Sequence, residues 1–564
     1  MQQKQEPGRP SISHIPQSIA FNLLDEFTNS QNVYFKGSRH TTSSTMIYKT
    51  FLLVILFIWK AEGNDCVPRK FGYDSIVCVC NATYCDSTPN VEIPEEGNFN
   101  WYVSSREGLR LSLSKGKFSE GSHQPRENSD SAKDSENLHG IRITVNRGKT
   151  YQPIYGFGGA FTDSAGINIK SLSKKTQEML LQSYFGREGS RYNLGRLPIG
   201  GSDFSTRLYT YDDVANDTAL RYFQLAKEDI EYKIPLIRRA QELSPNLKLA
   251  SAVWTPPLWM KTNNNYYGPS VLKKEHYETY AKYILKFLQA YKSHGIEVWA
   301  VSTGNEPNDA FVPKFKIPSL GWSPFELGNW LVNNFWPTIT NTNCNETYLL
   351  ALDDQRYLLT WYVDLLMSNR KAQDLIDGIA VHWYLDDFFS SEYLDNAHRN
   401  YPSKFLIMTE ACTGFQMFDF PKVQLGSWTR GEHYVLDMIE NMKHWVTGWI
   451  DWNLALDKKG GPNWIENYVD AAIIVDPETD EFFKQPTYYM IKHFSRFVER
   501  DSVRIDSSDL DDVKSIAFQT PSKTIVVVLY NRSSEDKNVV ITDSKSGTIK
   551  INLAPYSIHT IQYK

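Results

Sequence analysis

The sequence predicts an α/β protein built on a (β/α)₈ TIM barrel, flanked by β-rich regions that precede the barrel and resume after it. Three observations carry this expectation. Short apolar runs alternate with longer helical stretches from about residue 150 onward, and eight such runs occur. Alternating strand-like patterns lie on both sides of that region. Most of the apolar runs end on a carboxylate or a large aromatic, and strand ends are where a barrel of this class carries its chemistry.

The eight candidate strands are, in order, "IYGFGGAFTD", "YNLGRLPIGG", "LKLASAVWTP", "IEVWAVSTGNEP", "TYLLALDDQ", "IDGIAVHWY", "KFLIMTEA" and "VTGWIDWNLAL". Between the third and fourth, "EHYETYAKYILKFLQAYKSHG" places Tyr277, Tyr280, Ala281, Ile284, Phe287, Leu288 and Tyr291 at three-and-four spacing, a helix with one apolar face, and Gly295 supplies its stop. A doubly wound open sheet is the competing fold. It would normally carry a phosphate-binding glycine loop, and "GFGGAF" lacks the acidic partner such a loop needs.

The flanks read differently. "GNFNWYVSSREGLRLSLSKGKF" alternates as strands do, and "SEGSHQPRENSDSAKDSENLHG", from Ser119 to Gly140, is expected to be a flexible loop. Beyond about residue 502, "KSIAFQTPSKTIVVVLYNRSS" reads as a hairpin turning near Pro521-Ser522. "NVVITD" and "TIKINLAPYSIHTIQYK" continue it toward a β-sandwich that shares strands with residues 92–146.

Targeting is legible near the start. Lys49 leads into the apolar "FLLVILFIW" and then Ala61-Glu62-Gly63, a secretory leader too short to span a bilayer. Residues 46–63 are therefore expected to be a signal peptide cleaved near Asn64, with Met46 as initiator and 1–45 a non-native or disordered extension. Cys66, Cys78, Cys80 and Cys85 follow directly. In an oxidising compartment they read as two disulfides, with three pairings open. Zinc is disfavoured because matched C-x-x-C knuckles are missing. Asn81, Asn216, Asn345 and Asn531 open N-x-S/T sequons and are expected glycan sites.

A net charge of -5 offers nothing to attract nucleic acid, whereas 15 Trp and 32 Tyr suit a site that stacks sugar rings. The strand ends supply Asp163, Asp203, Trp254, Asn305-Glu306, Asp353-Asp354, His382-Trp383-Tyr384, Glu410 and Asp451-Trp452-Asn453. No His/Cys group has metal spacing and no Ser sits in a G-x-S-x-G elbow. Carboxylate chemistry without metal or cofactor is the expectation. Glu306 ends the fourth run and Glu410 the seventh. Glycoside hydrolysis needs two such groups, one to protonate the leaving oxygen and one to attack the anomeric carbon or activate water. A glutamate at a strand end is by itself an ordinary loop residue. Two of them on one barrel rim, among several Trp, point to a sugar pocket.

"GFGGAFTDSAG", "RLPIGGSDFS", "WTPPLWMKTN", "NEP", "LALDDQR", "GIAVHWYLD", "TEAC", "LGSWTRG", "GWIDWNLALDKKGGPNW" and "VVLYNRSS" together resemble the glucosylceramidase family of acid β-glucosidases, over nearly everything after residue 64. The resemblance implies a small cysteine-bearing antiparallel β-domain (64–90 plus 454–485), an immunoglobulin-like β-sandwich (91–149 plus 502–564) and a catalytic barrel (150–453 plus 486–501). It implies disulfides Cys66–Cys78 and Cys80–Cys85, Glu306 as acid/base and Glu410 as nucleophile. Asp203, Trp254, Asn305, Trp383, Tyr384, Trp452 and Asn467 would bind the glucose, with Arg196 and His382 in support. The implied activity is retaining hydrolysis of glucosylceramide to glucose and ceramide in the lysosome, or after secretion, at a membrane surface without a transmembrane span, aided by anionic lipid and a saposin-type activator. A retaining xylosidase or glucanase on the same scaffold is the alternative, and a catalytically silent carbohydrate-binding protein a more distant one. Ser202, Gly304, Phe315 and Ile317 depart from the family pattern and bear on aglycone recognition more than on reaction type.

Overall fold

The computed structural model describes residues 63–119, 140–510 and 512–564. The expected leader, apart from Gly63, the 1–45 extension and the polar loop between Ser119 and Gly140 lie outside those residues.

Eight parallel strands close into a barrel in chain order: β1 (Gly156–Ala160), β2 (Leu194–Ile199), β3 (Lys248–Val253), β4 (Ala300–Ser302), β5 (Tyr348–Gln355), β6 (Gly378–His382), β7 (Phe405–Glu410) and β8 (Val446–Asn453), with β8 pairing back to β1. Each lies inside one of the eight runs. The interior is filled by Leu194, Ala250, Ala300, Leu350, Ala380, Ile407 and Ile450, and Tyr155, Trp299 and Phe405 pack against them. Small and branched side chains together fill the ring, so the barrel is a packed core and not a pore. Its closure needs a glycine at one contact: a Cβ on Gly158 would lie 1.9 Å from the Leu194 carbonyl oxygen.

The helix between β3 and β4 runs Tyr277–Ser293 and buries Tyr280, Ala281, Ile284, Phe287, Leu288 and Tyr291 against the barrel. Gly295, at φ +78°, then reverses the chain, a conformation that costs glycine nothing.

The β-rich flanks join in one nine-stranded sheet, ordered Gly547–Leu553, Lys537–Asp543, Ile141–Pro153, Val503–Ser507, Val513–Gln519, Ile525–Asn531, Ser557–Tyr563, Asn98–Ser105 and Ser112–Lys117. A bridge from Ser119 to Thr548 brings its two edges together. Phe99 and Tyr563 from one end thus share a core with Ile541 and Ile549 from the other. A five-stranded sheet pairs Pro68–Arg69 and Val77–Asn81 with Glu481–Lys484, Ile473–Asp476 and Leu456–Asp457. It is antiparallel except at its last pair, where Leu456–Asp457 runs parallel to Ile473–Asp476 because the chain enters it directly from β8. The bridges are Cys66–Cys78 and Cys80–Cys85, while Cys344 and Cys412 are free and buried.

One sequon expectation is corrected. Asn216 and Asn345 are exposed and Asn81 half-buried, but Asn531 is fully buried. Its Nδ2, the atom that would carry a glycan, donates to the carbonyls of Glu535, Leu553 and Ala554 at 2.9, 3.2 and 2.9 Å.

Candidate active site

β4 stops at Ser302, and Gly304 (φ +141°) and Glu306 (φ +40°) turn the chain over the barrel mouth. The positive φ at Glu306 is strained for a residue with a side chain. Hydrogen bonds hold it: Asn305 N donates to the Val253 carbonyl at 2.9 Å and Glu306 N to the Asp353 carbonyl at 3.0 Å. Glu410 needs no such device, as it is the last residue of β7.

The two carboxylates face each other. One oxygen of Glu306, one of Glu410 and a ring nitrogen of His382 all lie within 4.8 Å of one another. Oxygens this close suit the arrangement in which one carboxylate attacks and the other handles the proton, with the groups about 5 Å apart, and not the one with roughly 6.5–9.5 Å that leaves room for a water between them.

Charge around the pair is balanced through hydrogen bonds. Arg196, from β2, is buried. Its guanidinium grips Glu410 Oε2 and donates to Asn305 Oδ1 at 2.7 Å and Asp353 Oδ2 at 2.9 Å. Tyr384 donates to Glu410 Oε1 at 2.6 Å. Burial and the nearby Glu306 nevertheless push the Glu410 carboxyl above its ordinary value, against the pull of Arg196, His382 and Tyr384. His382 sits between Asp353 Oδ1 (3.1 Å) and Glu306 Oε1 (2.8 Å). Burial alone would lower it, but Glu410, Asp353 and Glu306 lift it to about 10, so the ring is a cation. Burial raises Glu306, yet the hydrogen bond and charge of His382 outweigh this and hold its carboxyl below the usual value. Asp203 is pushed up to about 7 by burial and by Glu410.

A cavity of about 450 Å³ opens over the pair, lined by Asp203, Trp254, Asn305, Tyr384, Trp452 and Asn467 among others. Trp254 and Trp452 stack at 5.3 Å between ring centres, and the Arg196 guanidinium lies 4.9 Å and 5.4 Å from their rings. Asn467 Nδ2 holds Asp203 Oδ2 at 3.1 Å. Phe315 and Ile317 form part of the wall. A larger depression of about 770 Å³ near Asp74, Arg430 and Arg532 shares only Phe415 with this site and holds neither member of the pair.

Of the residues expected in the pocket, Trp383 is not there. Its indole is buried against His433 and Tyr434, and its N–H donates to the Cys412 carbonyl at 3.1 Å. Both aromatics follow the last residue of β6, and they keep the alternation of successive side chains on a strand, so that Tyr384 takes the inner face. The same alternation sends Asp451 outward to Tyr434 while Trp452 faces in. Asp163 bonds Ser205, Tyr209 and Lys233 away from the cavity. Sequence reasoning missed Gln355, which donates to Glu306 Oε1 at 2.9 Å, and Asp309, which lines the cavity.

Glu306, His382 and Glu410 are close enough to share a metal ion, but their donors are taken. Both His382 nitrogens serve carboxylates, and Glu410 is held by Arg196 and Tyr384. The site is arranged for proton and carboxylate chemistry.

The chain is 39% identical to a lysosomal acid glucosylceramidase of Mus musculus, over 91% of this chain and 98% of that one. It is 37% identical to a putative glucosylceramidase 3 of Caenorhabditis elegans, over 92% and 99%. The crystal structure of SrfJ from Salmonella typhimurium superposes with a TM-score of 0.74 at 29% identity, covering 83% of this chain and 99% of that one. The glycosyl hydrolase family 30 TIM-barrel domain matches residues 154–498 and the family 30 beta sandwich domain residues 501–561. Since the barrel match alone takes in more than half of the residues and the sandwich follows it directly, this chain belongs to glycosyl hydrolase family 30.

Proposed function

We propose that this protein is a retaining β-glucosidase that hydrolyses glucosylceramide to glucose and ceramide by double displacement. The observation that carries the mechanism is the approach of Glu306 and Glu410 to within 4.8 Å across one cavity. The lipid substrate is supported by similarity to glucosylceramidases along nearly the whole chain.

Glu410 is the nucleophile. With Arg196 and Tyr384 fixing both of its oxygens, it attacks the anomeric carbon and forms a glucosyl ester. Glu306 gives a proton to the departing ceramide oxygen and afterwards takes one from the water that cleaves the ester. Asp203, Asn305 and Asn467 hold sugar hydroxyls, and the stacked Trp254 and Trp452 supply an apolar wall. A sugar held this way reacts as an intramolecular partner.

The protein works in the lysosomal lumen at a lipid surface, with anionic lipid and a saposin-type activator as partners. Among the described residues no helix is long and apolar enough to cross a membrane. Met417, Phe418 and Phe420, which follow the cavity-lining Phe415 in sequence, are exposed and suit shallow lipid contact. The test is hydrolysis of glucosylceramide in anionic micelles, with the first-formed anomer read by NMR. β-Glucose first is the expected result, and preference for a β-xyloside or initial release of α-glucose would overturn the reading.

A further inference from the structure

We propose that Asp309 is a positioning residue for the acid/base: it shares one proton with Glu306 and returns that proton to it during glycosyl transfer. The inference rests on the reading of Glu306 as acid/base and extends it.

The geometry begins with the turn after Glu306. Asp309 N donates to the Glu306 carbonyl at 3.0 Å, and Asp309 opens a short 3₁₀ turn, Asp309–Phe311. That sets the Asp309 carboxyl beside the Glu306 carboxyl on the same cavity wall. Both His382 Nδ1 and Gln355 Nε2 use Glu306 Oε1. Two buried carboxyls side by side resist being ionised together, and one proton held between them lets them hydrogen-bond. Asn308 Nδ2 ties Asp354 Oδ2 at 3.0 Å and fixes the third acid of this corner.

The arrangement addresses a difficulty in the resting site. The cationic His382 favours an ionised Glu306, whereas the first chemical step needs a proton there. Burial, with Glu306 and Asp354 close by, pushes the Asp309 carboxyl up to about 10 and makes it the place where that proton waits. The charged and titratable groups facing the pair are His382 from β6, Asp354 from β5, Arg196 from β2, Asp203 just after β2, Glu410 from β7, Tyr384 just after β6 and Tyr357 beyond β5. As the bond to ceramide breaks, the proton passes from Asp309 to Glu306 and from Glu306 to the leaving oxygen, and both carboxyls end ionised. In the second step Glu306 takes a proton from the attacking water, whose oxygen bonds to the anomeric carbon as the ester to Glu410 breaks, and the shared proton is restored.

The test compares Asp309→Asn, Asp309→Ala and Asp309→Glu with the unaltered protein on an alkyl β-glucoside and on 2,4-dinitrophenyl β-glucoside, whose leaving group needs no proton. For Asn and Ala the basic limb of kcat/KM on the alkyl glucoside should move down by about one pH unit, with kcat lowered at least about tenfold and KM little changed. The dinitrophenyl substrate should change less than about twofold in kcat, and Glu should restore the limb in part. An unmoved limb, or equal losses on both substrates, would overturn the proposal. If one variant fails to fold, the other still reads the limb. Glu306→Gln run in parallel separates the two claims. If it alone loses the alkyl glucoside, Glu306 stands and Asp309 falls; if it retains full activity there, the acid/base reading itself fails.

Discussion

Tyr384 donates its hydroxyl proton to Glu410 at 2.6 Å, from the turn just after β6, the strand next to the one that Glu410 ends. The phenol and the Arg196 guanidinium occupy both oxygens of a carboxylate that is also buried and close to Glu306. This orients the carboxylate and pulls it toward its ionised form against burial and the neighbouring Glu306. Glu410→Gln should therefore lose at least about a thousandfold in kcat. Tyr384→Phe, which removes one donor and leaves the ring, should lose roughly a hundredfold. A 2-deoxy-2-fluoroglucoside should trap the ester, and mass spectrometry of the digest should find the label on the peptide containing Glu410. A label elsewhere would remove Glu410 from the mechanism.

Arg196 bridges Glu410, Asn305 and Asp353 from a position with 1% exposure, and only a planar fork with several donors can do so. Arg196→Lys keeps the charge and loses the fork. We expect stability to fall by about 3 kcal/mol in a urea titration, because buried carboxylates are left short of partners. Activity should fall as well, without recovery at any pH. A variant with unchanged stability would show that water replaces the guanidinium at no cost.

These relationships differ in how far the sequence discloses them. That Glu306 and Glu410 meet was legible, because eight strand-sized runs imply a barrel and a barrel collects its strand ends on one rim. Which of two adjacent aromatics faces inward was not. A register shift at Val381/His382 helps set the faces at the end of β6, where Trp383 goes out and Tyr384 in. Asp309 was hidden for another reason. Its meeting with Glu306 depends on the left-handed turn at Glu306, which no hydrophobic period reports. The burial of Asn531 is likewise a matter of sheet order, since two of its three acceptors lie beyond the neighbouring strand pairs.

The four sequons separate on the same physical ground. Peptide mapping before and after deglycosylation should find glycan at the exposed Asn216 and Asn345 and none at Asn531. Asn531→Gln should leave the glycan mass unchanged. It should lower stability by about 1–3 kcal/mol, since a longer side chain cannot keep three buried hydrogen bonds. Loss of a glycan's mass in that variant would mean that the sandwich packs differently around residues 531–554.

Stability should fall as pH rises from about 6.5 to 8. Burial lifts Asp203, Asp354 and Asp451 from 3.8 to about 7, with Glu410 and Glu306 adding to the first and Glu306 to the second. Burial works against His382, but Glu410, Asp353 and Glu306 raise it from 6.5 to about 10. All four folded-state values exceed the unfolded ones, and Asp309, raised to about 10, adds to them, so over this window these groups bind more protons in the native protein than in the unfolded chain. They outweigh Lys261, which burial lowers to about 7, and the depressed Lys492, both of which oppose them; the net slope of stability with pH is negative. The aspartate contributions are complete below 3.8 and lost as pH passes 7. That of His382 is complete below 6.5 and lost toward 10. The buried His493 and His559 run the other way: burial depresses both, His559 to about 3, so their stabilisation is present above 6.5 and lost only on further acidification. They do not cancel the trend above 6.5. A thermal melt at constant ionic strength should show Tm dropping by about 2–4 °C between pH 6.5 and 8. A flat or rising Tm would mean that the cluster around Arg196 and His382 does not retain its protons, and with that the charge balance that holds Glu306 opposite Glu410 would have to be redrawn.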